Sequence, residues 1–336
     1  MEQITIKDIA RLLNVSPSTV SRALKGNPEI GQETRMKVQE MAKRLNYQPN
    51  KAALSLLQAR TKTIGVIVPN LGYNFFALAL QGIEEEASSR GYTVIACQSL
   101  ESEEKEIRNV NDMKRSGVDG VLISLAQHSR QTNHLLDLQS HMPLVMFDRV
   151  SDEIRSSKIF VNNIAGAFSA VEHLIKAGCK RIAYLAGPKE LLISSRRKDG
   201  YNMALYRHKR KVEEALIVHC DFNAKSAERA AMRLLKSKDR PDGIFAVSDR
   251  VAIGVMEAAR KLGISMPDEL SVVGFNDEPV ASLIHPTLSS VRQPVLEMGK
   301  MSARLLIDQI ESAVPFNPVI KSYMTRLIIR ESSRKK

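Results

Sequence analysis

Cysteine is scarce in this chain: there are three in 336 residues, Cys97, Cys179 and Cys220, far apart and without a CxxC pair. That pattern argues against a disulfide framework or a thiolate zinc site and for a reducing compartment. Long apolar runs are missing too, since none approaches the roughly 18 residues that a membrane span needs. The opening MEQITIKDIARLL lacks the basic segment and apolar core of a secretory leader, so the expected location is the cytoplasm, at the nucleoid. Signatures of common enzyme chemistry are also absent: GxSxG, a P-loop, GxGxxG after a strand, HExxH and a convincingly spaced carboxylate pair. The seven histidines are scattered. No catalytic residue, metal or cofactor is expected, and the chain does not read as an enzyme.

Positive charge is what the chain has in excess. Lys and Arg number 49 against 37 Asp and Glu, a formal net charge of +12, which suits a polyanionic partner. Residues 1–62 hold 11 basic and 5 acidic residues, a surplus of six, which is half of the total in less than a fifth of the chain. A basic head on a larger body follows, and the length with 43% hydrophobic residues supports two or more domains.

In the head, Ile6, Ile9, Ala10 and Leu13 recur at helical spacing behind Thr5, a good cap. Asn14-Val15-Ser16 breaks the pattern. Ser16 is a second cap, and Pro17 suits a first helical position, where its missing N–H costs nothing. The next helix, Pro17 to about Leu24, turns Val20 and Leu24 inward and Ser18, Thr19, Ser21 and Arg22 outward; Gly26-Asn27-Pro28 ends it. A third, roughly Gln32 to Leu45, offers Val38, Met41, Ala42 and Leu45 as a core stripe. Two short helices around a tight turn, the second with a polar outer face, form the helix-turn-helix pattern. Composition alone leaves open a small helical subdomain with an ordinary solvated face.

The stretch TIKDIARLLNVSPSTVSRALKGNPEIGQETRMKVQEMAKRLNYQPN resembles the head of the LacI/GalR repressors nearly residue for residue. The resemblance implies a DNA-binding head over residues 1–48. It places Pro17, Ser18 and Arg22 at base edges, with Arg22 suited to a bidentate contact with guanine and Pro17 limited to apolar contact. It places Thr5, Ser16, Thr19, Ser21, Thr34, Tyr47 and Asn50 on phosphates, which set register without reading sequence. Residues 49–60 correspond to the hinge helix, too short to be stable alone. Leu56 matches the leucine driven into the minor groove and Ala53 the small residue beside it. Leu54 departs from the family, which often has arginine there; Leu54, Leu56 and Leu57 also suit a hydrophobic seam between two copies.

From residue 61 to 336, apolar runs alternate with helical stretches: Thr63–Pro69, Thr93–Gln98, Gly120–Leu125 and Leu144–Asp148, then Arg181–Gly187, Ile217–Cys220, Gly243–Ser248 and Ser271–Phe275. Two such series predict two doubly wound parallel sheets covered on both faces, with a ligand cleft at the strands' C-terminal ends. The predicted fold class is thus an all-α helix-turn-helix head on an α/β, two-lobed body. The body resembles periplasmic sugar-binding proteins, and the LacI/GalR resemblance runs on to LIIRESS near the end. It implies a first lobe of about 61–160 and 294–322, and a second of about 161–293 and 323–336. The same resemblance marks effector-binding candidates: Asn74, Phe75 and Phe76 after the first strand, Asp148 and Arg149 after the fourth, then Arg197, Ser248, Asp249, Asn276 and Gln293. Planar polar groups with an aromatic face suit a polyol, though a cap or loop hydrogen bond explains each polar residue equally, Asp249 in particular. Asn162, Ser248 and Asn276 stand where the family often carries other residues, two of them aspartates. With Arg149, Arg197, Arg250 and Arg292 retained, a cationic cleft and an acidic effector, a uronate or sugar phosphate, are expected.

The resemblance further implies a homodimer on a near-palindromic double-stranded operator. Helices near Phe76–Arg90 and Leu296–Ile310 would supply the dimer face, and the chain's end SerSerArgLysLys brings no leucine heptad for a tetramer bundle. Three other readings stay open: solute capture for transport, control by a phosphorylated carrier protein, and a purine-type corepressor.

Overall fold

The computed structural model describes residues 4–47, 60–129 and 131–333. The chain divides into two compact units, Met1–Lys62 and Thr63–Lys336. The first contains α1 (Ile6–Leu13), α2 (Pro17–Leu24) and α3 (Gln32–Arg44) around Ile9, Ala10, Val20, Ala23, Val38 and Ala42. Each helix shows one apolar stripe, and closing three stripes on one another is the only way so short a chain can bury them. The expected hinge, with Asn50, Ala53 and Leu56, lies outside the described residues.

The second unit holds two six-stranded sheets. The first takes β1 (Thr63–Val68), β2 (Thr93–Gln98), β3 (Gly120–Ile123), β4 (Leu144–Phe147), β5 (Ser157–Val161) and β11 (Ile320–Tyr323). Their order is β11-β5-β4-β3-β1-β2, all parallel. The second takes β6 (Ile182–Ala186), β7 (Ile217–His219), β8 (Gly243–Ala246), β9 (Ser271–Asn276), β10 (Ser289–Arg292) and β12 (Arg326–Ile328), in the order β12-β10-β9-β8-β6-β7. Here the expectation of a wholly parallel sheet is corrected: β12 runs antiparallel to β10. The helices are α4 (Asn74–Ser89), α5 (Glu103–Arg115), α6 (Asn133–His141), α7 (Asn163–Lys176), α8 (Leu192–Arg207), α9 (Ala224–Leu235), α10 (Asp249–Lys261) and α11 (Val295–Glu311).

The central strands are buried along their length, as near-continuous apolar runs require. Strand β2 differs. Its run TVIACQ reads as core, yet it is the sheet's edge and leaves Ile95 40% exposed. The chain passes between the sheets after β5, between β10 and α11, and between β11 and β12. These three crossings put the C-terminal ends of both sheets' strands around one cleft.

Candidate functional site

The head presents the expected surface. Asn14 turns left-handed at φ 51°, and the Ser16 hydroxyl accepts from the Thr19 amide at 3.0 Å to cap α2, with Pro17 following it. The hydroxyls of Ser18 and Thr19 lie 2.7 and 2.8 Å from that of Ser16. Thr5 donates its amide and hydroxyl to Asp8 at 3.0 and 2.6 Å, which holds the Asp8 carboxyl below its ordinary range. Val20 and Ala23 are buried; Pro17, Ser18 and Arg22 are exposed, Thr19 and Ser21 partly so. Arg22 reaches Glu29 at 3.3 Å, an exposed pair worth at most about 1 kcal/mol and readily exchanged for another partner. Thr34 is partly exposed, and Tyr47 half-buries its ring against the head's core.

The cleft of the larger unit encloses about 420 Å³ of empty space, part of it open to solvent. Its lining includes Phe75, Phe76, Asp148, Arg149, Arg197, Ser248 and Asn276. Asp148 follows β4 at φ 57°, and burial raises its pKa against the pull of Arg149 and Arg197. Arg149 donates to Glu101 at 2.7 Å and lies over the rings of Phe76 and Phe222, 5.6 and 4.5 Å from their centroids. Arg197 is buried on α8 with its guanidinium 3.6 Å from the Phe275 centroid. It donates to the Asn163 side chain at 2.8 Å and to the Val247 carbonyl. Burial brings its pKa down to about 10. Ser248 caps α10, accepting from the Val251 amide at 3.4 Å. Asn276 is held at φ 121°, a conformation costly for a residue with a Cβ.

Three expected positions stand differently. Asn74 and Gln293 line a neighbouring space with Arg292, and Gln293 donates to Asn276 at 2.7 Å. Asp249 lies beneath the wall, accepting from the Glu278 amide at 2.7 Å and the Ser290 hydroxyl at 2.5 Å. The loop-bond reading of Asp249 therefore describes its geometry. Asn162 caps α7, accepting from Ala165 at 3.0 Å.

The expected cationic cleft is also corrected. Arg149 is paired with buried Glu101, and Arg292 with Asp277 at 2.6 Å. Glu278, which the motif reading passed over, adds a buried carboxyl to the wall, as Tyr73, Ile193 and Phe222 add contact surface. The signal for Phe222 is its place, a lone aromatic in the polar turn just after β7; Glu278 directly follows the Asn276-Asp277 pair already singled out.

Burial pushes the Asp249 carboxyl up to about 7 from an ordinary 3.8. In the folded chain this group therefore keeps its proton over a window in which the unfolded chain has lost it. Its contribution to stability is full below about pH 4 and is lost as pH rises through about 7. Denaturant midpoints across that window should show the decline in the native chain and a flatter profile in Asp249→Asn. Parallel profiles would contradict the assignment.

Among the described residues no helix is long and apolar enough to cross a membrane. The family "Bacterial regulatory proteins, lacI family" matches residues 5–50, and "Periplasmic binding protein-like domain" matches residues 171–333. The chain is 35% identical over 334 residues to a ribose operon repressor of Halalkalibacterium halodurans, covering 98% of this chain and 97% of that one. It is 33% identical to catabolite control protein A of Priestia megaterium over 305 residues, 90% of this chain and 91% of the relative. A structure of the transcriptional regulator CelR with cellobiose superposes with a TM-score of 0.75 at 30% identity, covering 98% of this chain and 100% of that one. The lac repressor dimer on its operator with the anti-inducer ONPF shares the fold, with a TM-score of 0.87 at 24% identity and 99% of both chains covered. With a helix-turn-helix head, two parallel-sheet lobes around a polar cleft and relatives of this identity along nearly its whole length, the chain belongs to the LacI family of DNA-binding transcriptional regulators.

Proposed function

We propose that this protein is a cytoplasmic, homodimeric repressor whose grip on a near-palindromic operator is set by a small neutral sugar in the cleft. The observation that carries the choice of effector is the charge balance of the wall. Arg149, Arg197 and Arg250 face Asp148, Glu278 and the Glu101 that pairs with Arg149, so no cationic surplus awaits an acid. Phe75, Phe76 and Phe222 supply apolar faces beside these planar polar groups, the combination that suits a ring carrying several hydroxyls. A space of about 420 Å³ is at the small end of ligand sites. Ribose is the first probe, because relatives carry the name ribose operon repressor.

In this reading Arg22 and Ser18 meet base edges, with apolar contact from Pro17. Thr5, Ser16, Thr19, Ser21, Thr34, Tyr47 and Asn50 hold phosphates, and Leu56 beside Ala53 wedges the minor groove. In the cleft, Asp148, Arg149, Arg197, Ser248 and Asn276 hold hydroxyls, while Asn74 and Gln293 complete the edge. Asp249 supports the wall from behind. The exposed edge strand β2, with Ile95, favours the first lobe as the place where two copies meet.

Calorimetry with ribose, other neutral monosaccharides, their uronates and their phosphates tests the effector. A neutral monosaccharide should bind at least about tenfold more tightly than its uronate, a difference of about 1.4 kcal/mol. Preference for the uronate or phosphate would overturn the charge argument.

A further inference from the structure

We propose that Arg250 and Tyr73 form a clasp, one residue from each lobe, that closes the cavity mouth and slows effector release, with Arg250 as the positioning residue for the Tyr73 ring. The proposal rests on the cavity being the effector site. Among the residues lining the cavity, Tyr73, Arg250 and Asn276 keep partial exposure while the others are buried, so these three stand where the cavity meets water. Tyr73 comes from the first lobe, in the turn before α4; Arg250 comes from the second, in the first turn of α10.

The two meet across the cleft. The Arg250 guanidinium lies 4.2 Å from the Tyr73 ring centroid, and its Nη2 donates to the Gly72 carbonyl at 3.0 Å. A cation over an aromatic face together with a charged hydrogen-bond donor is directional, and it fixes the ring as well as the lobes. Behind it, the buried Glu278 carboxyl feels the Arg250 charge and steadies it from the second lobe's own side. The Nε of Arg250 is buried without a protein partner, leaving a donor at this wall for a hydroxyl of the bound sugar.

Other contacts also span the lobes. Phe222 donates its amide to the Gln127 side chain at 3.3 Å, and Arg196 approaches Asp152 at 3.3 Å on the surface. Breaking the clasp should therefore loosen the mouth locally without separating the lobes. The amides that report on it are well placed: Leu71 donates to Gln98 at 3.1 Å, Gly72 to the Asn70 side chain at 2.8 Å, and Tyr73 to the Asn70 carbonyl at 3.2 Å.

Hydrogen exchange on the ligand-free full-length protein tests the clasp without any effector. In Arg250→Ala, and equally in Tyr73→Ala, the amides of residues 70–76 should exchange about tenfold faster, as loss of one local closing contact allows. The double variant should exchange no faster than either single one, because both remove the same contact. Arg250→Lys, which keeps the charge without the planar fork, should fall between. Stopped-flow displacement of ribose should show a matching rise in release rate. Exchange within twofold of the native chain in Arg250→Ala, or summed effects in the double variant, would overturn the clasp. If ribose and every other monosaccharide fail to bind the native protein, the effector reading fails and the exchange result still decides the clasp by itself.

Discussion

Gly299→Val should destabilise the first lobe by about 3 kcal/mol or more, at or beyond the upper end of ordinary overpacking. Helices α4 and α11 approach through a reciprocal pair of glycines. A Cβ on Gly299 would stand 2.2 Å from the Ala79 carbonyl oxygen, and one on Gly82 would stand 2.2 Å from that of Leu296. Both obstacles are backbone, which has no rotamer to move. The same device recurs in the second lobe, where a Cβ on Gly200 of α8 would meet the Ile164 carbonyl at 2.3 Å. Relief therefore requires the two helices to separate and uncover Ile83, Met298 and Ala303, all buried. Urea unfolding of the full chain measures the loss. A change below about 1 kcal/mol would mean that the helix pair adapts, contrary to close packing of the interior.

Arg197→Ala is expected to abolish the sugar response. The side chain joins two elements, donating to Asn163 at 2.8 Å and to the Val247 carbonyl, and it covers the Phe275 ring. It also supports the ionised form of buried Asp148, which Arg149 alone would then hold. Removing one member of such a buried set typically costs about 3–5 kcal/mol, because the remaining charge is left uncompensated. Sugar affinity should fall at least about a hundredfold, through the lost donor and the disturbed carboxyl together. Arg197→Lys keeps the charge but cannot reach both partners from one plane, so it should recover only part of the affinity. Titration of the folded variants separates binding from stability. Native affinity in Arg197→Ala would remove this residue from the site.

The contrast between head and cleft shows what a linear sequence can carry. The head's helices, their caps at Thr5 and Ser16 and the Asn14 turn rest on contacts within a few residues, so local pattern predicts them. The central strands were equally legible, because a strand buried on both faces must be apolar throughout. β5, β10, β11 and β12 were not: they are short, interrupted by Ser, Lys, Arg and Tyr, and β11 is largely exposed. The same logic misled at β2, whose apolar run is an exposed edge.

In the cleft, residue positions were readable and charge was not. Glu101 neutralises Arg149 from 48 positions away, and Asp277 takes Arg292 from 15 away. Spacing gives no hint of such pairs, so counting arginines overstated the positive field. Phe222 escaped notice because one aromatic in a turn has no periodicity. The Arg250–Tyr73 contact joins residues brought together only by lobe closure.

The most direct test of the central claim is one titration. A fluorescent palindromic duplex, selected by this protein from a random pool, is bound by full-length protein with and without saturating ribose or the neutral monosaccharide that calorimetry prefers. The account predicts selective binding that weakens steeply with salt, as phosphate contacts require, and an operator affinity that changes at least about fivefold when the sugar is added. Selective binding indifferent to every sugar that occupies the cleft would contradict sugar control, and failure to prefer any duplex would contradict the assignment of the head.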